Sequence, residues 1–113
     1  MSNQKQPQLT RTLEVIEKAK EKGFAYYEQV MSLRIFEPVM QDDSLFINVA
    51  CATLSMWLRE RGLYIAVAPM RGKFSFFVDG PGNKSGFKPH DFANIETWED
   101  AWLTGIEEAL KLL

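Results

Sequence analysis

Between Gln8 and Lys22 the apolar residues Leu9, Leu13, Ile16 and Ala19 recur at spacings of 4, 3 and 3. That rhythm lays one apolar stripe along a helix. Glu14 and Lys18 stand four apart on its wet side, where opposite charges support the turn between them. Gly23 follows a lysine-rich last turn and reads as the stop. The spacing therefore predicts a helix over 8–22, preceded by a loose polar tail over 1–7 that ends at Pro7.

The pattern then changes period. Met31, Leu33 and Ile35 alternate with Ser32, Arg34 and Phe36, the two-residue rhythm of a strand over 30–37. Pro38 would end that strand or hold it at a sheet edge; a helix continuing from Tyr26 is the competing reading. Asp42, Asp43 and Ser44 all suit the N-cap of a helix over 45–61. Around its wheel, Leu45, Val49, Ala52 and Met56 form one side, Ile47, Leu54 and Leu58 the opposite one, with Trp57 between. A helix apolar on both sides is a central one, covered twice, with Trp57 buried. Gly62 is its stop.

Two short apolar runs follow, closed by Pro69 and by Asp79, with Gly72 between them. They read as a hairpin, 63–69 with 73–79. Gly80–Glu96 is then a loop of 17 residues carrying three Gly and two Pro. Thr97, with Asp100 three residues on, resembles a capping box and opens a last helix over 97–112. The element order is α-β-α-β-β-α. This is an α+β fold, a small antiparallel sheet with helices packed on it.

Composition narrows the class. A chain of 113 residues, 46% hydrophobic, is one ordinary domain (8–113), large enough to fold without disulfide or metal. No apolar run approaches a membrane span. The opening MSNQKQPQLT lacks the apolar segment of a secretory signal, and a single cysteine, Cys51, fits a reducing cytoplasm. The net charge of −2 is spread as zero over 1–61, +1 over 62–96 and −3 over 97–113. Binding dominated by phosphate contacts usually shows a basic stripe, which this chain lacks.

Three segments carry a resemblance. Glu21–Phe24 (EKGF) ends the first helix, Trp57–Gly62 (WLRERG) ends the central one, and Thr97–Leu113 (TWEDAWLTGIEEALKLL) closes the chain. Their order and spacing resemble a family of short uncharacterised proteins encoded by anaerobic gut bacteria and their phages. In that family a KEKGF-like helix end precedes a QxWLRE-type helix, two strands, and a terminal helix resembling TYEEALEAGIxEALKLI. Val49–Thr53 (VACAT) departs from it, since the family often has Pro-Thr-Gln there. The resemblance implies a fold plan and a mobile-element origin, and it transfers no functional residue.

Candidate chemistry is sparse. His90, the only histidine, stands beside Asp91, a pair able to orient an imidazole, but acid–base work needs a nucleophile or substrate group in reach. Cys51 falls inside an apolar helix, where a thiol behaves as a small hydrophobe. One His and one Cys cannot fill a structural zinc shell. Asp79–Lys88 (DGPGNKSGFK) has glycines and a lysine, yet Asn83 separates Gly82 from Lys84 and no helix follows directly, so a phosphate cradle is not specified. No catalytic, cofactor-binding or metal residue is assigned, and no cofactor is expected.

The residues nearest to a contact set are Arg71, Lys73, Lys84, Phe87, Lys88 and His90. With Phe74 and Phe76 they approach the mixture of basic and aromatic side chains that stacks single-stranded nucleic acid. The reading is a non-enzymatic accessory protein that binds another protein. The alternative is a weak nucleic-acid-binding or regulatory protein using the 71–88 hairpin and loop. In the last helix two apolar stripes, Trp98, Ala101, Trp102, Gly105, Ala109 and Leu112 beside Leu103, Ile106, Leu110 and Leu113, exceed what a small sheet can shelter. They point to a homodimer through 97–113, unless the first helix or the 80–96 loop folds over the second stripe.

Overall fold

The computed structural model describes residues 5–80, 88–89 and 95–113. The elements run α1 (Lys5–Glu21), α2 (Tyr27–Phe36), a 3-10 turn (Pro38–Gln41), α3 (Asp43–Glu60), β1 (Tyr64–Met70), β2 (Lys73–Asp79), β3 (Lys88–Pro89) and α4 (Trp98–Leu110). It is an α+β architecture with one antiparallel sheet in the order β1-β2-β3. No helix among the described residues is long and apolar enough to cross a membrane.

The two glycine stops work by one mechanism. At the end of α1, Phe24 N–H donates to Ala19 O (2.9 Å) and Gly23 N–H to Lys20 O (3.0 Å), with Gly23 at φ +94°. At the end of α3, Leu63 N–H donates to Leu58 O (2.9 Å) and Gly62 N–H to Arg59 O (2.9 Å), with Gly62 at φ +83°. Both are Schellman caps, which satisfy orphan carbonyls and need a left-handed residue. The reversal also throws the next side chain inward. Phe24 and Leu63 are buried, and Phe24 meets Trp57 edge-on at 5.3 Å between centroids. Trp57 itself is 1% exposed, as its place on the wheel predicts.

α1 starts at Lys5, so the helix takes in residues 5–7 of the expected tail. Pro7 is no obstacle there, because the first turn has no N–H partner to lose. The predicted strand over 30–37 is a helix instead. Tyr27, Val30, Met31 and Arg34 share one face of α2, with Val30 buried and the others half-buried. The alternating Ile35 and Phe36 are 65% and 74% exposed. The two-residue rhythm was coincidental; the three- and four-residue spacing of the inward set decided the element. Tyr26 and Tyr27 tie this segment down, their hydroxyls donating to Glu60 (3.0 Å) and Glu17 (2.5 Å).

The expected hairpin forms, one residue along from 63–69 in its first strand, and pairs Tyr64 with Asp79 through Met70 with Lys73. Arg71 and Gly72 form the two-residue turn, both at positive φ (53° and 81°). The twist of the flanking strands demands that geometry. Pro69 is tolerated because β1 is an edge strand. The 80–96 loop returns to the sheet at two described places. Lys88 and Pro89 pair with Val78 and Phe77, and Ile95 bridges Phe74 through two backbone hydrogen bonds of 2.8 and 3.2 Å. Segments 81–87 and 90–94, with Lys84, Phe87 and His90, lie outside the described residues.

α4 is the hub, packed against β1 and β2 on one side and against α1 and α3 on others. Thr97 Oγ1 accepts from Asp100 N–H (3.1 Å) and donates to the Asp100 carboxylate (2.9 Å), as the capping pattern predicts. The sheet approaches so closely at Gly105 that a Cβ there would stand 2.8 Å from Ile65 Cγ2. On another side, the Arg11 guanidinium of α1 donates to Thr104 (2.6 Å) and Glu107 (2.7 Å). Leu103, Ile106, Ala109 and Leu110 are buried. Leu103, Ile106 and Leu110 of the second stripe are therefore covered within one chain. Leu113 keeps 37% exposure, and Trp98 and Leu112 of the first stripe keep 43% and 59%; these are the residues left open to the homodimer expected through 97–113. The expectation for the central helix also changes. Phe46, Ile47, Ala50, Cys51, Leu54, Trp57 and Leu58 of α3 are buried, while Leu45, Ala52 and Met56 are exposed. α3 is covered over one broad face only.

Two substitutions test this packing. Gly105→Ala improves helix propensity, yet it must displace a β-branched side chain; chemical denaturation is expected to show a loss of about 1–3 kcal/mol. Arg71→Gly relieves a left-handed, non-glycine residue and is expected to raise stability by about 0.5–1 kcal/mol in the same assay.

Candidate interaction surface

Of the contact set read from the sequence, the structure describes Arg71, Lys73 and the backbone of Lys88, and these are spread along the hairpin. Arg71 is exposed on the hairpin turn, and Lys73 forms an ion pair with Glu96. Lys88 sits opposite Val78, five residues along β2 from Lys73, a separation of roughly 17 Å on an extended strand. Phe76 is 3% exposed and packs by Gly105, so it is no stacking platform; Phe74 stands edge-on to Trp98 at 5.9 Å. Lys84, Phe87 and His90 fall outside the described residues.

Cys51 is fully buried. Burial pushes its thiol up from 9.0 to about 12, with the Glu99 carboxylate adding to the rise and Arg11 opposing it. A thiol in that state is no nucleophile near neutrality. Among the described residues no group of three or more His, Cys, Asp or Glu side chains could hold a metal ion.

Two open hollows lie along α1. One, of about 370 Å³, is lined by Lys18, Glu21, Lys22, Glu107, Leu110 and Lys111. The other, of about 530 Å³, is lined by Thr10, Leu13, Glu14, Glu17 and Lys18. Both mix carboxylates with ammonium groups. Glu107 is already held by Arg11, with Lys18 3.9 Å away. Neither hollow concentrates one sign of charge or a set of reactive groups.

The outstanding surface is the corner between α2 and α3. Arg34 builds it. Its guanidinium donates to Met40 O (2.6 Å) and to Asp43 Oδ1 (2.8 Å), and its Cζ stands 5.1 Å from the centre of the Phe46 ring. Gln41 Nε2 donates back to Arg34 O (2.6 Å). Asp42 caps α3, accepting from Leu45 N–H (3.0 Å). The connecting backbone is also bonded, with Glu37 N–H to Leu33 O, Met40 N–H to Glu37 O and Asp42 N–H to Val39 O. A corner so fully bonded holds its shape, and it displays Ile35, Phe36 and Val39 at 65%, 74% and 61% exposure. Three large apolar side chains within five residues form the kind of patch that marks an interface.

Sequence reasoning missed these residues because it placed Ile35 and Phe36 on a strand. A usable signal was present in the run Ile35-Phe36-Glu37-Pro38-Val39. Apolar residues on both sides of a helix-breaking proline sit where the chain turns away from its core.

Comparison with known families, with curated proteins and with solved structures finds no match to this chain. The function is therefore read from the geometry.

The Cys51 environment makes a signed prediction. The folded thiol stays protonated to about pH 12 whereas the unfolded one ionises near 9.0. Stability linked to this group is unaffected below that range and is lost as pH rises through it. Urea melts across the range are expected to show a steeper alkaline fall for the natural chain than for Cys51→Ala.

Proposed function

We propose that this chain is a non-enzymatic interaction protein, and that it docks a protein partner through the Ile35–Phe36–Val39 corner. The observation that carries this reading is the exposure of three large apolar side chains on a corner locked by Arg34. A preformed surface loses little conformational freedom on binding, so more of the apolar contact is realised as affinity. The three side chains are close enough in the chain to act as one hot-spot cluster, for which the partner supplies an apolar hollow. The corner is tied to α3 through the Arg34–Asp43 pair, and the far end of α2 is tied to α3 and α1 through Tyr26 and Tyr27.

A photo-crosslinking residue at position 36 in the source cell is the direct test. The expected result is one discrete adduct, lost when Ile35 and Val39 are both changed to Ser and absent when the crosslinker stands at Glu17. Because both residues are exposed, the double variant is expected to melt within about 0.5 kcal/mol of the natural chain. The same adducts from both positions, or none from 36, would overturn the reading. Binding of a single-stranded oligonucleotide that falls steeply with salt would favour the 71–88 alternative instead.

A further inference from the structure

The exposed side of α3 has an order of its own. Leu45, Val49, Ala52 and Met56 follow at spacings of 4, 3 and 4, the alternation of four and three that marks the seam between two paired helices. Leu45 and Met56 are 42% and 47% exposed, Ala52 is exposed and Val49 half-buried. The seam runs roughly 16 Å along the helix.

We infer that this seam pairs with the same seam of a second copy, antiparallel, in a two-fold dimer whose axis passes between Ala50 and Cys51. About that point the residues match in one register. Leu45 faces Met56 of the second copy, Val49 faces Ala52, and Asp42 faces Arg59. The small central pair lets the helices approach, and the two long side chains close each end. Charge selects the same arrangement. The start of α3 carries Asp42 and Asp43, with Glu37 before it, and its end carries Arg59 and Arg61 on either side of Glu60, whose carboxylate accepts from the Tyr26 hydroxyl. Antiparallel packing sets each acidic end beside a basic one, whereas parallel packing would set acid against acid.

Asp43 is engaged with Arg34, and Asp42, which caps α3 by accepting from Leu45 N–H, is the acid of the register without an ion-pair partner among the described residues. Arg59 has no carboxylate partner among the described residues and stands 6.0 Å from the Tyr64 ring. Polar groups flanking the seam already have partners within the chain. Asn48 donates to Ser44 O (2.8 Å), Thr53 to Val49 O (2.8 Å), and Ser55 accepts from Trp102 Nε1 (2.7 Å). Covering them therefore strips few unsatisfied groups of water. The corner Ile35, Phe36 and Val39 lies outside the seam, so this inference stands apart from the partner-docking one.

Sedimentation equilibrium on the full chain, from micromolar to millimolar concentration, reads it out. The expected result is a mass rising from the 13.0 kDa of one chain toward that of two. Ala52→Glu is expected to weaken association at least about tenfold while leaving the melting curve in place, because Ala52 is exposed. Met56→Gln, which keeps helix propensity, provides a second variant with the same direction. Arg59→Glu is expected to weaken the dimer at low salt, with the difference shrinking as salt is added, and Phe36→Ser is expected to leave the mass unchanged. A natural chain that stays at single mass to millimolar would overturn the inference. So would an Ala52→Glu variant that associates as tightly, or an Arg59→Glu variant that associates more tightly.

Discussion

The closeness of α4 to the hairpin at Gly105 is the constraint on which the rest depends. Two long strands and a two-residue third make too small a sheet to stand alone in water. Burial against a helix stabilises it, and only a residue without a Cβ lets Ile65 and Phe76 seat against that helix turn. Once the sheet is on one side of α4, α1 and α3 can close the others. Arg11 laces α1 to α4 along the rim, and Trp102 reaches Ser55 of α3. A mid-helix glycine weakens the isolated helix, and here the contact it permits outweighs that loss.

What is left outside the core defines the surfaces available for work. Among the described residues, Cys51 is buried and Lys73 is engaged with Glu96. The exposed apolar residues are different in kind. Those at the α2–α3 corner are presented by a bonded scaffold, and those of the α3 seam by a helix whose opposite face holds the core. These are the two surfaces on which the proposed docking and the proposed pairing rest.

Much of this was legible in the residues. The stripe of α1, the stops at Gly23 and Gly62, the Thr97–Asp100 cap and the presence of the hairpin all follow from local rules, because each depends on neighbours a few residues apart. Segment 30–37 failed for the opposite reason. Its alternation matched a strand as well as its three- and four-residue spacing matched a helix, and the arbiter was which side chains the core would take. The core took Val30 and left Ile35 and Phe36 outside. That outcome put the corner beyond reach of a sequence argument.

The α3 seam shows the division plainly. The sequence by itself determined that Leu45, Val49, Ala52 and Met56 lie on one side of a helix and Ile47, Leu54 and Leu58 on the other, because a helix repeats every 3.6 residues. It determined equally that α4 carries two apolar stripes. Only the tertiary structure decided that both stripes of α4 are largely covered within the chain while the outer stripe of α3 is not. Periodicity states which residues share a face. Which faces are covered depends on how many neighbours the rest of the chain can bring to each helix, and that is a property of the whole packing.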